Sequence, residues 1–183
     1  MGQTKRKIVS PRVGLPLLLG GSVISVLTLA YAAISHVPLV QTVALLVSMV
    51  LLFYSSHALG HHFVARIFGV SVDHFLLGRS DFRKLKITPA RMKGSITPTV
   101  GTKLNKSKLE SLAPRKRGYV FGSGVIVSNT LVGIQLAFSL IVGFGFPAVL
   151  LGTIFFVGSL ATELIFSTKV GDLWKMRNHF RGG

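Results

Sequence analysis

The distribution of positive charge constrains this chain more than any other feature of its sequence. All 21 lysine and arginine residues fall into three segments: four before residue 13, thirteen between Arg66 and Arg117, and four from Lys169 onward. The connections around 35–38 and 143–147 carry none. In membrane proteins that cross the bilayer several times, the cytoplasmic loops carry the excess of Lys and Arg. The pattern therefore predicts a multi-pass integral membrane protein with both termini in the cytoplasm.

Four apolar stretches are long enough to cross a bilayer, which takes about 20 helical residues. We predict membrane spans at about 13–34, 38–64, 119–142 and 146–166. The first follows a basic N-terminal segment, as in a signal peptide, but its apolar stretch is longer than a signal peptide requires. We therefore interpret it as a retained first span.

The segment between the second and third spans, 70–117, is basic and predicted to be cytoplasmic. Short β-prone runs broken by Gly and Pro, with Ile-Thr-Pro at 87–89 and 96–98, predict a small hairpin or extended strands. Residues 103–117 are predicted to form a short basic helix that ends near Pro114. The expected fold is thus an all-α polytopic membrane protein, one membrane domain of about four transmembrane helices with a small, partly β cytoplasmic insertion.

The net charge of +16 indicates which kinds of partner the chain would attract. In a soluble protein such a charge indicates nucleic-acid binding. In a chain with four apolar stretches it instead marks membrane topology and attraction to anionic lipid head groups, so nucleic acid is not favoured. The chain has no cysteine, which excludes disulfides and thiolate metal ligands.

The end of the second span contains two histidines four residues apart, His57 and His61. On a helix this spacing puts both side chains on one face, one turn apart, as in sites where two imidazoles bind one zinc ion. Polar side chains within a membrane span are costly without partners, so a functional role is the default hypothesis. The alternative, a pair hydrogen-bonded to other helices without a metal, stays open.

Three blocks of sequence resemble the site-2-protease family of intramembrane zinc metalloproteases. FYSSHALGHHFVARIFGV resembles the family's first motif, HExxH, commonly HELGH followed by Ala-Arg and Phe-Gly. LAPRKRGYVFGSGVIVSN resembles the segment in which a basic Pro-Arg stretch precedes a Gly-rich helix with an Asn. ELIFSTKVGDLWKMRN resembles the final motif, which supplies an Asp as third zinc ligand. The resemblance implies that His57, His61 and Asp172 are zinc ligands and that Asn129 lies near a bound substrate.

The first motif departs from the family at residue 58, where Ala58 replaces the catalytic Glu. In the family that carboxylate takes the proton of the zinc-bound water and later protonates the leaving amine, and alanine can do neither. Loss of a general base typically costs about 10²–10⁴-fold in rate. Whether Ala58 is natural or engineered stays open.

The third ligand can also be predicted from depth in the membrane. His57 and His61 lie nine and five residues before Arg66, and Glu163 lies six residues before Lys169. At about 1.5 Å per residue Glu163 is therefore level with the histidine pair. Asp172 follows Lys169 and reaches that level only if the chain folds back. The resemblance favours Asp172 and the depth argument favours Glu163.

These observations lead to one functional prediction and two alternatives. We expect a minimal site-2-type core that lacks the catalytic Glu, binds zinc and transmembrane segments of other proteins, and has little or no proteolytic activity. The first alternative is an active intramembrane metalloprotease that uses Glu163 as the base. The second is a metal-free structural membrane protein whose basic face docks on lipid or on an acidic partner.

Overall fold

The computed structural model of the chain describes residues 7–81, 96–164 and 171–181. In this part the protein is mostly helical, with one small antiparallel sheet. The elements in chain order are β1 (Lys7–Val9), α1 (Pro11–Ile34), α2 (Pro38–Ile67), β2 (Val72–Asp81), β3 (Ile96–Leu104), α3 (Lys106–Glu110), α4 (Pro114–Val142), α5 (Phe146–Thr162) and α6 (Asp172–Arg181).

Helices α1, α2 and α4 are long and apolar enough to cross a membrane, as judged by length and composition alone. They correspond to the first three predicted spans, and they indicate association with a membrane. The fourth predicted span, 146–166, corresponds to α5, which is apolar but has only 17 residues. Residues 165 and 166 of that prediction lie outside the described residues.

Proline sets the starts of four helices, α1, α2, α4 and α5, each of which has Pro in its first two positions. The first backbone N–H groups of a helix have no partner within it, so the N–H that proline lacks is not missed there. Because α4 starts at Pro114, the basic residues Arg115–Arg117 form its first turn. The predicted basic helix over 103–117 is therefore wrong in its second half, and its first half contains the short helix α3.

The sheet joins two parts of the chain that are distant in sequence. Strand β2 pairs antiparallel with both neighbours, giving the order β1-β2-β3. The pairing of β2 with β3 agrees with the predicted hairpin or extended strands, whereas β1 was not predicted, because three residues are too few for a recognisable alternation. The sheet brings the N-terminal segment and the insertion to the same end of the helices.

The helices pack on small and polar side chains as well as apolar ones. One apolar cluster, around Leu45 and Met49 of α2, includes Val132 and Leu136 of α4. Beside it, the Gln135 amide Nε2 donates to Ser25 Oγ at 2.9 Å and to Ser48 Oγ at 2.7 Å, which links α1, α2 and α4. Such bonds satisfy polar groups that the bilayer interior cannot hydrate.

Candidate metal site

The two histidines of α2 lie side by side on the face that packs against α4. The centres of their rings are 5.1 Å apart, His61 is buried and His57 is half-buried. The spacing of four residues on one continuous helix, predicted from the sequence, accounts for this arrangement.

A carboxylate from α6 completes the group. Asp172, the first residue of α6, has its Oδ2 atom 3.2 Å from Nε2 of His61 and 3.5 Å from Nε2 of His57. One ligand atom from each of the three residues lies within 4.8 Å of the others. Asp172 is therefore level with the histidine pair, as a third ligand must be.

Backbone contacts orient the His61 ring. Its Nδ1 atom lies 2.8 Å from the carbonyl oxygen of Val120, which can only accept, so Nδ1 carries the proton and donates it. In the neutral ring Nε2 is then an acceptor, and it faces a carboxylate oxygen that also accepts. Two acceptors at 3.2 Å require a proton or a cation between them. Metal-bound histidines are commonly held by such a bond from the second nitrogen.

The donor set fits a divalent metal ion. Zinc bonds to imidazole nitrogen and carboxylate oxygen at about 2.0–2.2 Å, so neighbouring ligands of a tetrahedral ion are about 3.3 Å apart. The distances from Asp172 Oδ2 to the two Nε2 atoms, 3.2 and 3.5 Å, are close to that separation, and all three candidate ligand atoms lie within 4.8 Å of one another. Two histidines and one carboxylate also leave the fourth position free for an external ligand, as in catalytic zinc sites.

Two glycines allow α2 and α4 to approach closely at this point. A Cβ atom on Gly124 would fall on the His61 ring, and one on Gly60 would lie 2.8 Å from the carbonyl oxygen of Ser123. Small residues at helix interfaces serve this purpose in membrane proteins. Gly124 therefore faces the His61 ring directly.

The group opens into a cavity of about 210 Å³ between α2, β3 and α6. Sequence reasoning missed most of its lining, because nothing in the sequence showed that β3 would lie over α2. The lining outside the three candidate ligands is Leu76, Val100, Gly101, Thr102, Leu104, Phe121 and Lys175. A larger groove of about 470 Å³ between α1 and α2 is almost wholly apolar and contains none of the three.

Lys175 gives this cavity a positive group. Its Nζ atom lies 3.6 Å from Asp172 Oδ1 and 5.0 Å from the centre of the Phe121 ring. Burial by itself raises the pKa of the Asp172 carboxyl, but its close contacts with His57 and His61 and the charge of Lys175 hold that pKa well below its usual range. The carboxylate therefore stays ionised, as a metal ligand must.

Ala58 lies on a different face of α2. It is fully buried in an apolar cluster with Val9, Leu18, Leu59 and Phe75. Its carbonyl oxygen accepts a hydrogen bond of 3.3 Å from Thr102 Oγ1 of β3. Ala58, at the position where the resemblance would put a catalytic Glu, therefore packs α2 against β1, α1 and β2.

The two remaining residues singled out in the sequence lie outside the group of three. Asn129 of α4 is buried, and its side-chain nitrogen donates to the Val125 carbonyl at 2.9 Å. Its Oδ1 atom is buried with no hydrogen-bond partner in the described part of the chain. Glu163 is the half-buried residue after α5 and acts electrostatically on His57, His61 and Asp172. The substrate-binding role of Asn129 and the base role of Glu163 stay predictions.

Comparison of the chain with known protein families, curated proteins and solved structures gives no match. The resemblance to site-2 proteases therefore rests on the three sequence blocks alone, and it stays a prediction.

Proposed function

We propose that this protein is a multi-pass membrane protein that holds one zinc ion with His57, His61 and Asp172 and has little or no proteolytic activity. We further propose that it binds transmembrane segments of other proteins. One observation carries the metal site: Asp172 Oδ2 and His61 Nε2, both acceptors when His61 is neutral, face each other at 3.2 Å. When bound there, zinc supplies a Lewis acid with a position open to an external ligand.

The surroundings of Ala58 support the absence of efficient proteolysis. Its neighbours in the apolar cluster are Val9, Leu18, Leu59 and Phe75, so this face of α2 is packed with hydrocarbon. A catalytic carboxylate must reach both the reacting water and the leaving amine. An alanine buried in such a cluster contributes to packing instead. The three candidate ligands, His57, His61 and Asp172, are present, but residue 58 supplies no base.

Binding of another protein's transmembrane segment is supported by the cavity and by its position. The cavity is lined on one side by Val100, Thr102 and Leu104 of β3 and borders apolar helices. The unpaired side-chain oxygen of Asn129, one residue from the Ser128 that contacts His57, is a buried acceptor without a partner in the described part of the chain. Buried polar atoms of this kind are expected to find a partner.

Metal content of the purified protein tests the proposal. Wild-type protein should retain about one zinc per chain after dialysis against metal-free buffer, and the His57→Ala/His61→Ala variant should retain almost none. The control variant His36→Ala/His74→Ala removes two histidines outside the site and should keep its zinc. Equal metal content in the wild type and in the His57/His61 variant would refute the site.

That refuting result would favour the metal-free structural alternative. The observation that supports this alternative is the same short distance: if the histidines are protonated, each donates to Asp172 at 3.2 or 3.5 Å, and no ion is needed. Ion pairs of this kind satisfy polar groups inside a membrane.

The protease alternative is tested separately, with a labelled transmembrane substrate. Its supporting observation is that Glu163 lies within electrostatic range of both histidines. Zinc-dependent cleavage by wild type that stops in Glu163→Gln would establish Glu163 as the base. We expect no appreciable cleavage by wild type.

A further inference from the structure

Helix α6 is attached to α4 by one of its faces. The side chains of Met176 and Phe180 lie where Cβ atoms on Gly122 and Gly118 would be, so two glycines of α4 make room for them. The His179 ring stacks on Phe121 with ring centres 5.5 Å apart and an angle of 7°. These contacts fix the position of α6 and therefore of Asp172, its first residue.

The opposite face of α6 is exposed and carries a different set of side chains. Successive residues of a helix are rotated by about 100°, which puts Trp174, Asn178 and Arg181 on the side away from Met176 and Arg177 on the edge of that side. All four are exposed, and Trp174 keeps 44% of its surface. This outer face of α6 thus has one large aromatic residue, one amide and two cations, and no acidic residue.

The outer face extends from the apolar zone to the basic end of the protein. Met176 contacts Gly122 and Phe180 contacts Gly118, so α6 runs antiparallel to α4. Asp172 is level with the histidines, and Arg181 is about 13.5 Å further along at 1.5 Å per residue. The Phe180 ring lies 5.2 Å from the Tyr119 ring, centre to centre, so the end of α6 lies beside the start of α4.

The order of residues along this face matches a bilayer surface. Trp174 lies two residues after Asp172 and so at the apolar end of α6, at a depth where α4 exposes apolar side chains such as Ile126. Arg177 and Arg181 are at the end that also holds Arg115–Arg117. Tryptophan is enriched at the boundary between hydrocarbon and head groups, and arginine extends its charge toward the head groups. An acidic soluble partner or a nucleic acid would match the arginines but not the apolar end.

We propose that the outer face of α6 binds the phosphate groups of anionic phospholipids, and that this contact holds Asp172 beside His57 and His61. The second half of the proposal rests on the proposed metal site. Each arginine near an anionic surface contributes about fivefold to binding, so Arg177 and Arg181 together contribute about thirtyfold. Lipid that binds only when α6 is seated on α4 favours the seated state, and metal binding is strengthened by the same linkage.

The lipid contact can be measured without metal, because Trp174 is the single tryptophan of the chain. Full-length metal-free protein is reconstituted in phosphatidylcholine vesicles that contain phosphatidylglycerol, with bromine on the acyl chains of one lipid or the other. Brominated phosphatidylglycerol should quench Trp174 fluorescence more strongly than brominated phosphatidylcholine at equal mole fraction. Arg177→Gln/Arg181→Gln should remove the difference, and Lys106→Gln/Lys108→Gln on α3 should retain it.

Equal quenching by the two brominated lipids in wild type would overturn the lipid contact. So would a preference that the arginine variant keeps, or one that the α3 variant loses equally.

The effect on Asp172 is measured as zinc affinity in vesicles with and without phosphatidylglycerol. Wild type should bind zinc more tightly with the anionic lipid, by up to about thirtyfold, and the arginine variant should show no such gain. Measurable zinc binding that is equal in both vesicles would overturn the coupling while leaving the metal site intact. Absence of zinc binding in both vesicles would refute the metal site, and with it the coupling, whereas the quenching result would still decide the lipid contact.

Discussion

Two faces of one stretch of α2 differ sharply although their residues alternate in sequence. His57 and His61 face α4 and α6 and meet a carboxylate, a lysine and a cavity. Ala58 and His62 face the other way: Ala58 joins an apolar cluster, and the His62 ring lies 6.0 Å from the ring of Phe75. The candidate metal ligands of this helix therefore lie on one face, while the other face packs against α1, β1 and β2.

The difference shows that the spacing of the two histidines does not determine the environment of residue 58. The spacing of four residues controls only the histidine face. Residue 58 is rotated by about 100° from His57 and meets whatever packs on that side. Here that is Leu18 of α1 and Phe75 of β2. Substitutions at the histidines and at residue 58 thus affect two different environments.

The largest expected effect comes from placing a charged side chain on the apolar face of α2, at residue 58. Ala58→Glu adds a carboxylate to a fully buried apolar cluster, and a charge at the centre of a membrane helix costs about 2.5–3.5 kcal/mol on insertion scales. We expect a clear loss of folded protein on size-exclusion chromatography and no gain of cleavage. Ala58→Gln, of equal size and without charge, should lose less. Strong zinc-dependent cleavage by Ala58→Glu would contradict the comparison and would mean that residue 58 reaches the metal site.

The histidine face should be sensitive to a single methyl group. In Gly124→Ala the added Cβ would fall on the His61 ring and lie 2.9 Å from the His57 carbonyl oxygen, so the ring or the packing of α2 on α4 must shift. Changes to groups that orient metal ligands typically cost about 10–100-fold in metal affinity, and we expect a loss in that range, measured by competition with a zinc indicator. Gly158→Ala is the matched control, since nothing lies within 4 Å of its added Cβ. Unchanged zinc affinity in Gly124→Ala would show that His61 is not held as described.

The smallest expected effect concerns the hydrogen bond between Thr102 of β3 and the backbone of Ala58 in α2. Thr102→Val removes the 3.3 Å hydrogen bond from β3 to the Ala58 carbonyl. A hydrogen bond typically contributes about 0.5–1.5 kcal/mol, so the midpoint of thermal aggregation should fall by a few degrees. Thr153→Val, at an exposed position of α5 with a bond only to its own helix, should change it less. A larger shift for Thr153→Val would mean that this bond does not help to anchor the sheet.

How much could be predicted differs between the helices and the site. Helices α1, α2 and α4 follow from long apolar stretches, because a bilayer demands that length and composition. The His57–His61 pair follows from helical periodicity. Strand β1 could not be predicted, since Lys7–Val9 gains its conformation only from pairing with Phe75, Leu76 and Leu77. The choice between Glu163 and Asp172 as partner of the histidines also stayed undecided, because depth in the membrane favoured Glu163 and the family resemblance favoured Asp172.

The sequence by itself determined the apolar helices, the gathering of positive charge into three segments and the shared face of His57 and His61. These depend on local composition and on the fixed rise and rotation of a helix. Tertiary structure alone decided that α6 brings Asp172 to the histidines, that β3 covers the cavity and that Ala58 faces hydrocarbon. Each of these depends on how elements distant in sequence pack, through contacts such as Met176 on Gly122 and Phe75 beside Ala58. Packing of that kind has no periodic signal in the sequence.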